Sequence, residues 1–122
     1  MTFDFDATVV GAGAVGLACG RALSKRGLTV LVLEKEPAIG QGVSSRNSEV
    51  IHAGLYYPTG SLKAKFCVEG RRLLYDFLQS HKVDHWKCGK LVVATEEAEV
   101  ARIEAILEQG RINGVEGLEL LT

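Results

Sequence analysis

The chain opens with a change of period. Residues 5–10 end in the consecutive β-branched positions Thr8, Val9 and Val10, the pattern of a short buried strand. Glycine then recurs at 11, 13 and 16, and from Ala14 the apolar positions Val15, Ala18, Ala22 and Leu23 fall on one helical face. This spacing predicts a helix over 14–26, closed by Gly27 as a left-handed cap. TVLVL at 29–33 is a second continuous apolar run, read as a buried strand with Glu34 at its end. Strand, helix and strand in this order predict a parallel pair joined by a right-handed crossover.

Residues 35–60 then lose both periods. SSRNSEVIHAGLYY at 44–57 places polar side chains around a short apolar pair, a composition suited to a loop that contacts a ligand. From there the pattern returns to scaffold. Ser61 can cap a helix running to about His81, with Leu62, Phe66, Leu73, Leu74, Phe77 and Leu78 as its apolar stripe and Gly70 marking close approach of another backbone. Residues 87–94 read as a strand. Thr95 is expected to cap a helix over roughly 96–110 that buries Val100, Ile103 and Leu107, and 118–121 are expected to begin another strand. The fold class is therefore α/β, built on a Rossmann-like βαβ unit.

Composition narrows the chemistry by exclusion. With 122 residues, 47% hydrophobic and 24% charged, the chain has the make-up of a soluble globular domain. A net charge of −1 supplies no field to draw nucleic acid or anionic lipid. The uncharged run 7–20 is too short to span a bilayer and follows Asp4 and Asp6 rather than basic residues, so neither a transmembrane segment nor a signal peptide is expected. Cys19, Cys67 and Cys88 are odd in number and lack a CxxC spacing, which points to a reducing, cytoplasmic setting. His81 and His85 have no third ligand nearby in sequence, so no metal is expected.

Chemistry concentrates in Gly11-Ala12-Gly13-Ala14-Val15-Gly16. Gly11 lets the chain turn out of the strand, Gly13 lets a pyrophosphate approach the backbone, and Gly16 lets helix and strand pack closely. The helix N-terminus, with Ala14 and Val15 in its first turn, offers free N–H groups and a positive dipole end to phosphates. Glu34 is placed to accept hydrogen bonds from ribose hydroxyls and to repel a 2′-phosphate. These residues imply a dinucleotide and leave NAD and FAD both open. GAGAVG also resembles the opening of ketopantoate reductases and UDP-sugar dehydrogenases, but those folds continue with further α/β repeats where residues 35–60 here do not.

Residues 6–34 resemble the ADP-binding motif of FAD-dependent oxidoreductases of the D-amino-acid-oxidase superfamily. The segment SSRNSEVIHAGLYYPTGSLKAKFCVEGRRLLY at 44–75, with CGKLVVAT at 88–95 and NGVEGLELL at 113–121, is similar to the L-2-hydroxyglutarate dehydrogenase/oxidase group. The resemblance covers nearly all of this chain and about the N-terminal third of such an enzyme. It implies an incomplete, N-terminal part of a two-domain flavoenzyme, with an FAD-binding domain over 1–82 and the beginning of a substrate domain, strand-helix-strand, over 83–122. It implies FAD as cofactor, held by Gly11, Gly13, Ala14, Val15, Gly16, Glu34 and Lys35. Ser44, Ser45 and Arg46 would lie along the phosphates and ribityl chain, and Asn47, Ser48, Ile51 and His52 near the flavin. His52 is the candidate catalytic residue. The implied reaction is oxidation of an L-2-hydroxy acid, L-2-hydroxyglutarate foremost, with quinone or oxygen as electron acceptor and a peripheral membrane contact allowed. An FAD-dependent glycerol-3-phosphate dehydrogenase, an amino-acid or amine oxidase of the same superfamily, a non-catalytic dinucleotide-binding fragment and an NAD-linked dehydrogenase remain open. The fragment alone is expected to be inactive.

Overall fold

A computed structural model describes residues 3–121. Its regular elements are β1 (Ala7–Val10), α1 (Ala14–Ser24), β2 (Val30–Leu33), α2 (Leu62–Ser80) and α3 (Glu97–Ile112), with a single 3₁₀ turn at Val43–Ser45. Contacts divide the chain into two compact units, one up to Val50 and one from Ile51 onward.

In the first unit β1 and β2 pair in parallel, Ala7 opposite Val30 through Val10 opposite Leu33. Both strands start later than their apolar pattern suggests, and Asp6 gives the reason. Its carboxylate accepts the Thr29 N–H at 2.8 Å, so a side chain takes a place that a ladder carbonyl would otherwise fill. At the other end the Gly11 N–H donates to the Leu33 carbonyl at 2.7 Å and carries the pairing into the glycine loop. The helix α1 stops at Ser24, short of residue 26, because Arg26 and Gly27 donate to the carbonyls of Leu23 and Ser24 in tighter three-residue turns. Two glycines set how closely α1 lies on the sheet. A Cβ on Gly16 would overlap the Gly11 carbonyl oxygen, and one on the buried Gly20 would stand 3.4 Å from Val32 Cγ2.

The second unit is organised by small residues. Ala64 and Val68 are the buried positions of α2, and Val115, after α3, is buried too. Gly54, at φ +94°, presses on that face: a Cβ there would meet Val68 Cγ2 at 3.0 Å and the Ala64 carbonyl at 3.3 Å. Close approach therefore occurs at Gly54 and at Gly110, where a Cβ would lie 2.6 Å from Leu55 Cδ1, whereas Gly70 meets nothing within 4 Å. The expected stripe on α2 is turned outward, with Leu62 69% and Phe66 61% exposed, because the loop at Gly54 covers the small-residue face instead. Arg71 and Arg72 on α2 both reach Glu116, at 3.4 and 2.6 Å.

Helix caps follow the sequence at one end and depart from it at another. Ser61 Oγ accepts the Ala64 N–H at 3.1 Å as expected of an N-cap. At α3 the N-cap is Glu96 rather than Thr95, and the Thr95 N–H and hydroxyl both donate to Glu99 Oε2 at 2.8 and 3.1 Å. Those bonds hold the Glu99 carboxyl below the usual carboxylate range. Residues 87–94 and 118–121, expected as strands, have no strand partner among the described residues, and a strand exists only as a paired ladder. The last residue of the expected strand-helix-strand segment, Thr122, lies outside the described residues. No helix among the described residues is long and apolar enough to cross a membrane.

Candidate functional site

The turn between β1 and α1 exposes a helix N-terminus with no side-chain cap from its own N-cap residue, Gly13. Gly11, at φ +99°, adopts the left-handed backbone that the tight exit from β1 requires. The first turn of α1 thus presents backbone N–H groups, and one of them is answered from far along the chain: Ala14 N–H donates to Ser44 Oγ at 2.8 Å. Gly13 lies directly beneath, and a Cβ there would come within 3.1 Å of the same hydroxyl. A cavity of about 290 Å³ opens at this point, lined by Gly13, Glu34, Lys35, Gly42, Val43 and Ser44 among others.

Glu34 stands at the end of β2 and closes the cavity from the other side. Its carboxylate is already engaged. Oε2 accepts the Ala12 N–H at 2.7 Å, and Oε1 accepts the N–H groups of Lys35 and Glu36 at 2.8 and 3.0 Å. The Glu36 and Ala12 bonds, in that order, hold its carboxyl below the usual carboxylate range. Glu34 therefore braces the glycine loop as well as facing the cavity, a role that its spacing from the glycines does not disclose. A carboxylate has about four lone-pair positions, so three backbone donors leave it with acceptor capacity.

The polar loop after Gly42 separates into distinct jobs. Ser44 alone reaches the helix N-terminus. Ser45 Oγ donates to the Gly42 carbonyl at 3.1 Å, and Asn47 Nδ2 donates to the carbonyls of Val43 and Ser44, each at 3.1 Å, while its Oδ1 accepts the Glu49 N–H at 2.8 Å. Ser45 and Asn47 thus shape the turn that carries Ser44. Arg46 donates its backbone N–H to the Val43 carbonyl at 3.1 Å, and its exposed side chain makes no hydrogen bond or ion pair among the described residues. Ser48 is exposed as well. The site residues Gly11, Gly13, Ala14, Val15, Gly16, Glu34, Lys35, Ser44, Ser45, Arg46, Asn47 and Ser48 all fall in the first unit, and Ile51 and His52 begin the second.

In that second unit His52 has a partner of its own. Tyr57 Oη lies 3.2 Å from His52 Nδ1, with the two rings tilted by 44°. Lys63 Nζ sits 4.3 Å above the Tyr57 ring. The backbone of this loop is held by α3: the Tyr57 carbonyl accepts Gln109 Nε2 at 2.7 Å and Asn113 Nδ2 at 2.9 Å, and the Gly54 carbonyl accepts Asn113 Nδ2 at 3.1 Å. Asn113 Oδ1 is buried without a hydrogen-bond partner among the described residues. Sequence reasoning missed Gln109 and Asn113. Gln109 sits on a helix without any pattern to mark it, and Asn113-Gly114 reads as an ordinary helix stop.

Comparison with known proteins adds a family. The sequence pattern described as "DAO: FAD dependent oxidoreductase" matches residues 6–122. Among curated proteins, "L-2-hydroxyglutarate dehydrogenase, mitochondrial" of Arabidopsis thaliana is 51% identical over 116 residues, 95% of this chain and 24% of that protein. The Homo sapiens protein of the same name is 48% identical over 122 residues, 98% of this chain and 26% of its own length. That of Dictyostelium discoideum is 45% identical over 119 residues, 96% and 27% respectively. The chain spans about a quarter of the length of these relatives. These relatives are named as mitochondrial, which overturns the cytoplasmic location expected from the sequence. Three free cysteines report only a reducing environment and cannot tell one reducing compartment from another.

Proposed function

Since the chain belongs to the family of FAD-dependent oxidoreductases, we propose that it is the FAD-binding N-terminal part of a two-domain flavoenzyme that oxidises L-2-hydroxyglutarate to the 2-oxo acid. One observation carries the substrate: identity of 45–51% over nearly the whole chain to proteins named for that activity. The division at residue 82, with a substrate-side domain starting at 83, belongs to the same reading.

The geometry suits the cofactor. The N-terminus of α1 supplies backbone donors and the positive end of a helix dipole where a pyrophosphate would lie, and Gly13 has no side chain to obstruct it. Ser44 already bonds the first-turn N–H and adds a hydroxyl to the same cradle. Glu34, held ionised by backbone donors, keeps acceptor capacity for the adenosine ribose. Lys35 lines the same cavity. The exposed Arg46 has its guanidinium free to fork onto a phosphate. Ser45 and Asn47 act by shaping the loop, and the same reading gives Ser48, Ile51 and His52 to the flavin. FAD, when bound, supplies the acceptor for the hydride that leaves substrate C2. The hydroxyl proton must leave as well, and His52 serves that chemistry as base or as orienting group. Quinone or oxygen takes the electrons onward.

The test is made on the full-length protein. It should carry bound flavin by its absorption spectrum and form 2-oxoglutarate from the L enantiomer of 2-hydroxyglutarate and not from the D enantiomer. A colourless protein whose turnover requires a nicotinamide would overturn the reading.

A further inference from the structure

We propose that Tyr57 is a positioning residue that fixes the proton of His52 on Nε2, so that the imidazole works as a hydrogen-bond donor to an oxygen acceptor and the hydroxyl proton passes to a base other than His52. The inference rests on the reading above, in which His52 serves the reaction, and decides between the two roles left open there.

A phenol and a neutral imidazole can share one hydrogen bond in two ways. If the phenol donates to Nδ1, the imidazole proton is on Nε2. If Nδ1–H donates to the phenol oxygen, Nε2 keeps its lone pair and can take a proton. The 3.2 Å separation of Tyr57 Oη and His52 Nδ1 admits both. Two features decide. A phenol oxygen delocalises a lone pair into its ring, which makes it a good donor and a poor acceptor. The Lys63 ammonium, 4.3 Å from the ring centroid, draws the π density further and weakens the oxygen as an acceptor again. Both favour the phenol as donor.

The arrangement is held from outside the loop. Gln109 of α3 and its C-cap residue Asn113 bind the Tyr57 carbonyl, and Asn113 also binds that of Gly54, so the backbone between His52 and Tyr57 is pinned from a point 52–59 residues along the chain. His52 itself is exposed, and Nε2 makes no hydrogen bond among the described residues. The Nε2–H donor is thus presented outward by a ring whose other nitrogen is already committed.

Full-length FAD-loaded protein labelled with ring-¹⁵N histidine, studied above the usual titration range of histidine, reads the tautomer directly. His52 signals are assigned by their loss in His52→Gln. The expected result is a single Nε2–H tautomer in the parent protein and a mixture approaching that of free histidine in Tyr57→Phe. An Nδ1–H tautomer in the parent, or a ratio unchanged by Tyr57→Phe, overturns the proposal, and the parent spectrum decides even where the variant does not fold. A second readout uses substitutions that split the two roles: Gln can donate near Nε2 and Glu can act as base. His52→Gln should exceed His52→Glu in kcat/KM by about tenfold or more; the reverse order overturns the donor role. Turnover unchanged in His52→Ala would instead remove His52 from the reaction and so overturn the functional reading, while the tautomer still judges Tyr57.

Discussion

The glycine loop and the histidine loop solve the same problem in opposite ways. Each must hold polar groups at fixed positions on an exposed edge. The glycine loop does so mainly through its own β-α-β backbone: β1 feeds Gly11, α1 begins at Ala14, and Glu34 at the end of β2 reaches back to Ala12. Among the described residues no strand pairs with the histidine loop, and the side-chain amides of Gln109 and Asn113 hold its carbonyls. The glycine loop therefore depends first on its glycines and then on the Glu34 brace, whereas the histidine loop depends on Gly54 and on amide side chains far along the chain.

The largest test of that contrast is Gly13→Val in the full-length protein. The new side chain would crowd Ser44 Oγ and fill the space over the helix N-terminus, so FAD content should fall by about a hundredfold or more while the circular dichroism of the helices persists. Full flavin occupancy would make the loop a packing turn only. Next, Glu34→Ala removes the acceptor for three backbone N–H groups together with the ribose partner, and FAD retention through dialysis should drop by about tenfold or more. Retention equal to the parent would break the link between brace and cofactor.

On the other side of the comparison, Asn113→Leu strips a donor from two carbonyls, and stability should fall by about 1–3 kcal/mol in urea unfolding. Faster amide exchange should be confined to residues near 52–57, with flavin content near that of the parent. Loss of flavin equal to that in Glu34→Ala would show that the two loops are not held independently. The smallest effect concerns acid. Because the Glu34 carboxyl is held below its ordinary range, the bonds it accepts persist above that range and are lost as pH falls through its lowered pKa. Flavin release, followed by fluorescence, should therefore begin only below the usual carboxylate range, and Glu34→Gln should remove that acid step.

How much of this was legible in the sequence divides along the same line. The strands, the glycine loop and the start of α1 follow from local period and residue type, and so does the Ser61 cap. The limits of β1 and β2 do not, because Asp6 replaces a ladder partner by a side chain. The apolar stripe of α2 follows from helical spacing, but which face meets a neighbour within this chain does not: Leu62 and Phe66 are exposed, and Gly54 presses on the smaller Ala64 and Val68. Residues 87–94 have the composition of a strand, but pairing is a property of two segments and cannot be read from one. Among candidate site residues, Glu34 and Ser44 were singled out for their chemistry, yet their attachments to Ala12 and Ala14 are facts of tertiary distance. Gln109 carried no signal, and Asn113 only that of a helix stop.

The clamp on Tyr57 also bears on how this chain can vary in length. Gln109 and Tyr57 close a loop of 52 positions that contains α2, the segment after it and most of α3. The entropy of closing a flexible loop grows only with the logarithm of its length, about 0.6 kcal/mol for each doubling. Insertions between Ser80 and Glu97 should therefore leave the clamp, and the histidine it steadies, almost undisturbed. A single residue added between His52 and Tyr57 has no such freedom, since it would carry the phenol away from the imidazole. Related chains should then differ freely in length across the first interval and not at all across the second.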